Sequence, residues 1–164
     1  MDFHPFIVHF PIALLVVYSI LEIFLVGRKN PDFWNSFKDW ILAIGLAGAF
    51  LSLLTGSIAE ENLLVENNIV EAHEVVAQLT TAIFSFLLVA RMSLRLLSKK
   101  PELLENGLGF MRSPILLANN RFVLAGLALL GLISLSFTGA LGAALVYGPK
   151  GDFVISLAIK ILGL

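Results

Sequence analysis

Four apolar stretches, each long enough to cross a lipid bilayer, constrain this chain more than any other feature. They cover about residues 5–26, 40–59, 69–90 and 122–147. A transmembrane helix needs about 20 mostly apolar residues to cross a hydrocarbon core of about 30 Å. The strands of a membrane barrel would alternate in hydrophobicity, and these runs do not. The sequence therefore predicts an all-α membrane protein: a four-helix transmembrane bundle, formed by residues 1–164 as a single domain.

Composition supports this prediction and narrows the possible chemistry. Hydrophobic residues make up 58% of the chain and charged residues 14%, whereas a soluble domain has about 45–50% and 25%. A formal net charge of −1 gives no electrostatic reason to bind nucleic acid. The chain has no cysteine, which rules out disulfides, iron–sulfur clusters, thiolate zinc sites and covalently attached c-type haem.

The basic residues fall almost entirely on one side of the predicted spans. Of the 11 Lys and Arg residues, two lie in the C-terminal tail, and the other nine follow span one or span three. Those nine are Arg28, Lys29, Lys38, Arg91, Arg95, Lys99, Lys100, Arg112 and Arg121. Basic segments stay in the cytoplasm. We therefore expect both termini outside, with the protein in the inner (cytoplasmic) membrane of a bacterium.

The C-terminal tail and a weak repeat add detail to this architecture. Residues 153–164 are too few to cross a membrane, and the sequence predicts a short interfacial helix there. Gly48 precedes Thr55-Gly56 in span two by the same spacing as Gly131 precedes Thr138-Gly139 in span four. This match suggests that the bundle consists of two tandem helical hairpins.

All three histidines lie at the predicted outer ends of spans one and three. His9 and His73 come from different helices, and two imidazoles on separate helices can bind a haem iron from opposite faces. Ala13 and Ala77 follow them by one turn and would leave room for a porphyrin. We therefore expect a b-type haem held by His9 and His73, with His4 as the third candidate ligand. Such a protein carries single electrons and is not by itself an enzyme.

Two other functions use the same sequence differently. The histidines, together with Glu71 or Glu74, could form a divalent-metal site on the outer face. Alternatively, the Gly and Ala residues of spans two and four suit close helix contact, as in a cofactor-free scaffold or an accessory subunit of a larger complex. The sequence leaves self-association and the identity of any outer redox partner open.

The charged residues near the inner ends of the spans have simpler interpretations. Glu22 lies about one turn from the end of span one, where its side chain can extend toward Arg28 or Lys29. Arg91 and Arg95 follow span three and are interpreted as anchors at the inner interface.

The opening of the chain resembles a catalogued family of predicted bacterial membrane proteins. Residues 4–14 read His-Pro-Phe-Ile-Val-His-Phe-Pro-Ile-Ala-Leu, which is similar to the start of domain of unknown function 2231. The family's histidine at the start of span three is matched by His73. Its run at the end of span four is matched by Thr138, Gly139, Gly142, Leu145, Val146 and Tyr147. The resemblance covers nearly the whole chain.

The resemblance implies four spans and a respiratory setting, because some relatives are joined to, or encoded near, c-type cytochromes and other redox domains. It therefore favours the haem interpretation and a redox partner on the outer side. One feature differs. Many members have a basic or histidine-containing stretch after the tyrosine, and here residues 148–151 read Gly-Pro-Lys-Gly. Any role of a histidine at that point is absent from this chain.

Overall fold

The structure is a computed structural model that describes residues 4–26, 32–60, 68–99, 120–148 and 152–164, the side chains of residues 4–6, 58–60 and 97 excepted. These residues form five helices and no strand. The helices are α1 (His4–Phe24), α2 (Asp32–Glu60), α3 (Asn68–Lys99), α4 (Arg121–Tyr147) and α5 (Phe153–Leu162). The first four are long and apolar enough to cross a membrane. The predicted fold class, a four-helix membrane bundle with a short C-terminal helix, is confirmed.

The four long helices form two hairpins that pack side by side. Contacts are most extensive between α1 and α2 and between α3 and α4, and the hairpins meet through α1 with α4 and α2 with α3. Consequently α1 and α3 lie at diagonal positions of the bundle. Glycines allow the close approach within each hairpin: a Cβ on Gly48 would lie 3.0 Å from Pro11, and one on Gly131 would lie 2.9 Å from Phe84. The two glycines of the repeat thus both face the first helix of their own hairpin.

Large apolar side chains fill the centre of the bundle. Each of the four long helices contributes to one cluster of buried residues: Leu15, Tyr18, Leu42, Leu46, Phe84, Leu87, Ala90, Leu124, Ala128 and Leu135. On α3 these residues recur at intervals of three, which keeps them on one helical face. Tyr18 and Phe84 meet edge to face, with ring centroids 6.2 Å apart. This aromatic pair joins the two diagonal helices.

Two helices extend beyond the spans that hydropathy indicates. The second begins at Asp32, before the predicted start near residue 40, and the third continues to Lys99, past the predicted end near residue 90. Polar and charged residues in these extra turns hid them from a hydropathy criterion. The extensions contribute Lys38, Asp39 and Arg91 to the bundle.

Side-chain caps mark the starts of the last two helices, and a glycine ends the last one. Asn120 accepts a hydrogen bond from the Phe122 amide at the start of α4, and Asp152 accepts one from the Ile155 amide at the start of α5. Gly163 ends α5 in the left-handed conformation, with φ of 72°. Ile155 is buried and α5 packs against α4, while Phe153 is exposed. An apolar helix with one packed face suits the interface position predicted for the tail.

Candidate functional site

His73 is tied to the neighbouring helix α4 at one end of the bundle, here named the histidine end because His9 and His73 lie there. The Nδ1 atom of His73 lies 3.1 Å from the carbonyl oxygen of Thr138. A carbonyl oxygen can only accept a hydrogen bond, so Nδ1 must carry the proton. In the neutral ring the lone pair then resides on Nε2. A backbone carbonyl that fixes the tautomer in this way is the usual second partner of a metal-binding histidine.

Gly142 lies directly against the His73 ring. A Cβ at this position would lie 3.2 Å from Cε1 of the imidazole and 3.7 Å from Nδ1. Any larger residue would therefore press on the ring or shift it. Thr138 and Gly142 belong to the stretch of span four that carries the family resemblance, and both contact His73. The resemblance and the geometry thus converge on one side chain.

A group of buried hydroxyls lies one to two turns deeper between α3 and α4. The Thr80 hydroxyl is 2.6 Å from that of Ser134 and 3.0 Å from that of Thr138. Thr80 also donates to the Val76 carbonyl, and Thr138 donates to the Ser134 carbonyl. These neutral groups satisfy one another without charge, and they link the two helices just below His73.

The other predicted haem-site residues lie on less enclosed parts of the histidine end. His9 and Ala13 are exposed on α1, and Ala77 is half-buried on α3. The side chain of His4 lies outside the described residues. The pairing of His9 on α1 with His73 on α3, two helices at diagonal positions of the bundle, stays a prediction.

The divalent-metal alternative finds no ligand set in the described ranges. No three His, Asp or Glu side chains come together among these residues. Glu74 accepts a hydrogen bond from Gln78 on the same helix, at 2.9 Å, and Glu71 is exposed.

A buried charge cluster occupies the opposite end, here named the ion-pair end. Arg91 on α3 is its centre: Nε donates to Asp39 at 2.5 Å, and Nη1 donates to Glu22 at 2.9 Å. Nη2 donates to the Asn35 carbonyl at 3.3 Å. Glu22 is on α1 and Asp39 on α2, so one guanidinium joins three helices.

One lysine side chain and one arginine side chain complete the cluster. Lys38 lies 2.8 Å from the Glu22 carboxylate, and Arg95 lies 2.8 Å from that of Asp39. The side chains of Glu22, Lys38, Asp39 and Arg91 are only 3–9% exposed, whereas that of Arg95 is 37% exposed. The four buried charges balance, which is the condition for keeping charged groups away from water.

Glu22 binds Lys38 and Arg91 inside the bundle, and its predicted partners Arg28 and Lys29 lie outside the described residues. The interpretation of Arg91 as an anchor at the interface was wrong, because its side chain is only 9% exposed and binds Glu22 and Asp39. The signal was present in the spacing: Arg91 follows Phe84 and Leu87 at intervals of seven and four on the core face of α3. Counting the Lys and Arg residues of each loop did not reveal that Arg91 lies on this face.

The sequence model of the family described as predicted membrane protein (DUF2231) matches residues 1–151. The chain belongs to this family. The match includes all three histidines, the ion-pair cluster and the whole of α4, and it ends just before α5. No curated protein and no solved structure matches the chain. The family description establishes a membrane protein and names no activity, so the function has to be argued from the two sites.

Proposed function

We propose that this protein binds one haem b at the histidine end through His73 and passes single electrons to or from a redox partner. The observation that supports the proposal best is the hydrogen bond from His73 Nδ1 to the Thr138 carbonyl. It fixes the tautomer that presents Nε2 as a ligand atom. Haem iron, when bound, supplies the one-electron chemistry that none of the described side chains supplies.

The surroundings of His73 suit a flat apolar group. Gly142 has no side chain beside the ring, and Ala77 one turn deeper is small. The nearby buried side chains of Thr80 and Ser134 satisfy each other, so they would not compete with the iron for Nε2. His9 is the proposed second ligand and His4 the substitute for it. With two imidazoles on the iron no position is left for a substrate, which fits an electron carrier.

The proposed orientation places the histidine end outside the cytoplasmic membrane of a bacterium, with both termini on that side. The basic residues that follow spans one and three support it. The cysteine-free chain allows a clean test with Ser57→Cys at the end of α2 and Ser98→Cys at the end of α3, both exposed. An impermeant thiol reagent should label only Ser57→Cys in intact spheroplasts. Labelling of Ser98→Cys alone would reverse the orientation.

An absorption spectrum tests the haem proposal. The chain is expressed with ample haem, purified in detergent, and measured oxidised and after reduction with dithionite. We expect one haem per chain and sharp low-spin bands in the reduced state. His73→Ala should remove these bands, while Gln78→Ala, on an exposed position of the same helix, should leave them unchanged.

Ligand assignment follows from two further variants. His9→Ala should convert the spectrum to high spin, because the iron would lose one of its two proposed imidazole ligands. If His4→Ala does this instead, the second ligand is His4 and the electron-transfer function stands. A colourless protein with normal helix content by circular dichroism would end the proposal.

The rival in a different class is a cofactor-free scaffold or accessory subunit. Its sequence argument was the Gly and Ala content of spans two and four. In the structure Gly45 and Gly48 pack against α1, and Gly131 and Gly142 pack against α3, so these glycines serve contacts within the chain. A colourless protein that copurifies with stoichiometric partner subunits would favour this rival.

A further inference from the structure

An exposed aromatic surface lies on α2 at the ion-pair end. Phe33, Phe37 and Trp40 are all exposed. They recur at intervals of four and three, so they share one face of the helix with the half-buried Ser36. The rings of Phe33 and Phe37 stack, with centroids 6.0 Å apart and planes 8° apart. These four residues are here named the aromatic face.

The aromatic face extends past the end of the first helix. Glu22 and Lys38 pair across α1 and α2, and α1 ends two residues after Glu22, whereas α2 starts six residues before Lys38. From Trp40 to Phe33 the face covers about 10 Å along the helix axis, at 1.5 Å per residue. Tryptophan at the end of a membrane span lies at the level of the lipid headgroups. The face therefore runs from the edge of the hydrocarbon core into the headgroup layer.

The guanidinium of Arg95 lies at the edge of the aromatic face. Its Nη2 atom donates to the Ser36 hydroxyl at 3.2 Å and lies 2.8 Å from the Asp39 carboxylate. Within the described residues, both of these contacts use Nη2, and a guanidinium also donates from Nη1 and Nε. The side chain is 37% exposed, so these donors can bind an acceptor from outside the bundle. Their fork geometry matches the oxygens of a phosphate group.

The exposed charge around the aromatic face is mostly positive. Lys99 is exposed on α3, one turn after Arg95 and on the same side of that helix. Arg121 is exposed at the start of α4. In the part of this end that the structure describes, Asp32 is the one exposed carboxylate, because the other two are bonded inside the charge cluster. A ligand with net negative charge therefore suits this surface better than a neutral one.

We propose that Arg95 and the aromatic face form a binding site for an anionic phospholipid. The headgroup phosphate accepts hydrogen bonds from Arg95, and an acyl chain packs along Phe37 and Trp40 toward the centre of the membrane. Lys99 attracts the negative headgroup and repels the ammonium group of a zwitterionic one. A soluble anion could use the guanidinium but would leave the exposed rings without an apolar partner. A phospholipid satisfies both parts of the surface at once.

Quenching of tryptophan fluorescence by brominated lipid tests the site. The chain has two tryptophans, Trp34 and Trp40, and Trp34→Phe leaves Trp40 on the aromatic face as the only reporter. This reference protein is reconstituted in phosphatidylcholine vesicles that contain a minority of phosphatidylglycerol, with bromine on the phosphatidylglycerol or on an equal amount of phosphatidylcholine. Each signal is divided by that of the same protein in unbrominated vesicles, so any bound haem cancels. We expect phosphatidylglycerol to be favoured several-fold near Trp40, and added salt should reduce this preference.

Variants in the reference protein separate a site from general attraction to charge. Arg95→Gln should make the two lipids quench equally, because the phosphate loses its donors. Asp32→Asn should raise the preference, because it removes an exposed negative charge beside the face. Lys160→Gln, which removes an exposed cation from α5 at the histidine end, is the control and should change nothing. If circular dichroism shows that Arg95→Gln disturbs folding, Lys99→Gln should lower the preference without affecting the buried cluster.

Several outcomes would overturn the proposal. Equal quenching by the two brominated lipids in the reference protein would show that the surface does not select anionic lipid. A preference that survives both Arg95→Gln and Lys99→Gln would show that these cations do not form the site. Loss of the preference when inorganic phosphate is added at constant ionic strength would show a site for a free anion. No quenching by either lipid would show that protein covers Trp40, as in contact with a second copy of the chain.

Discussion

The two ends of this bundle hold polar groups by opposite means. At the ion-pair end, Arg91 binds carboxylates from two other helices, and every charge of the buried core is matched. At the histidine end, neutral hydroxyls and a backbone carbonyl hold α3 against α4, and no carboxylate takes part in the bonds described for His73 and Thr80.

This difference separates two tasks. Buried charges depend on one another, because removing one leaves its partner unpaired in a medium of low dielectric constant. The ion-pair end is thus committed to holding helices together. Removing one hydroxyl costs little, since the hydroxyls that remain can still bond to the backbone of their own helix. The hydroxyls of the histidine end therefore contribute less to the stability of the fold than the buried charges do.

The largest effect is expected from Arg91→Leu. It leaves Glu22 and Asp39 without their common partner and should lower the free energy of unfolding by about 3–5 kcal/mol. Thermal unfolding in detergent, followed by circular dichroism, measures the change. Arg95→Ala is the control, because its exposed side chain should contribute about 0–1 kcal/mol. Equal losses in both variants would show that burial does not distinguish these two arginines.

An intermediate loss of stability is expected in the apolar layer between the two polar ends. Gly131→Ala would place a Cβ 2.9 Å from the Phe84 ring, and overpacking of this kind costs about 1–3 kcal/mol. Gly126→Ala has no atom within 4 Å of its new Cβ, and it should gain up to about 1 kcal/mol from helix propensity. The same unfolding measurement compares them. A stable Gly131→Ala would mean that Phe84 moves easily.

The smallest effect is expected from Thr80→Val. It removes the hydroxyl shared by Ser134 and Thr138 but keeps the shape of the side chain, and such bonds average about 0.6 kcal/mol each in membrane bundles. The loss should be on the order of 1 kcal/mol. Ser136→Ala, which affects one exposed bond within α4, is the control and should change nothing measurable. A loss as large as that of Arg91→Leu would erase the contrast between the two ends.

Hydropathy was enough to predict four helices, because a membrane span needs a long apolar run whatever its neighbours are. The helix extensions at Asp32 and Lys99 escaped this criterion, since their polar residues are satisfied by tertiary contacts. His73 could be selected from its position at the start of a span. Its hydrogen bond to Thr138 could not be predicted, because that bond depends on how α3 and α4 pack, and a single sequence does not reveal their packing.

The ion-pair cluster shows the limit of counting charges by loop. Lys38 and Arg91 were assigned to the cytoplasmic flanks on sign alone, whereas their side chains are only 3% and 9% exposed inside the bundle. Helical periodicity would have placed Arg91 on the face of Phe84 and Leu87. It would still not have named Glu22 and Asp39 as its partners, since they lie on two other helices.

The cluster around Arg91 also imposes an order on biogenesis. An arginine costs up to about 2.5–3.5 kcal/mol when the translocon inserts it alone, and the full cost applies at the centre of a span. The α1–α2 hairpin leaves the ribosome first and carries two carboxylates against one ammonium at this site: Glu22 and Asp39 against Lys38. Arg91 on α3 supplies the second cation that balances these two carboxylates. The first two spans should therefore favour insertion of the third, and the second hairpin should integrate less efficiently when it is made alone.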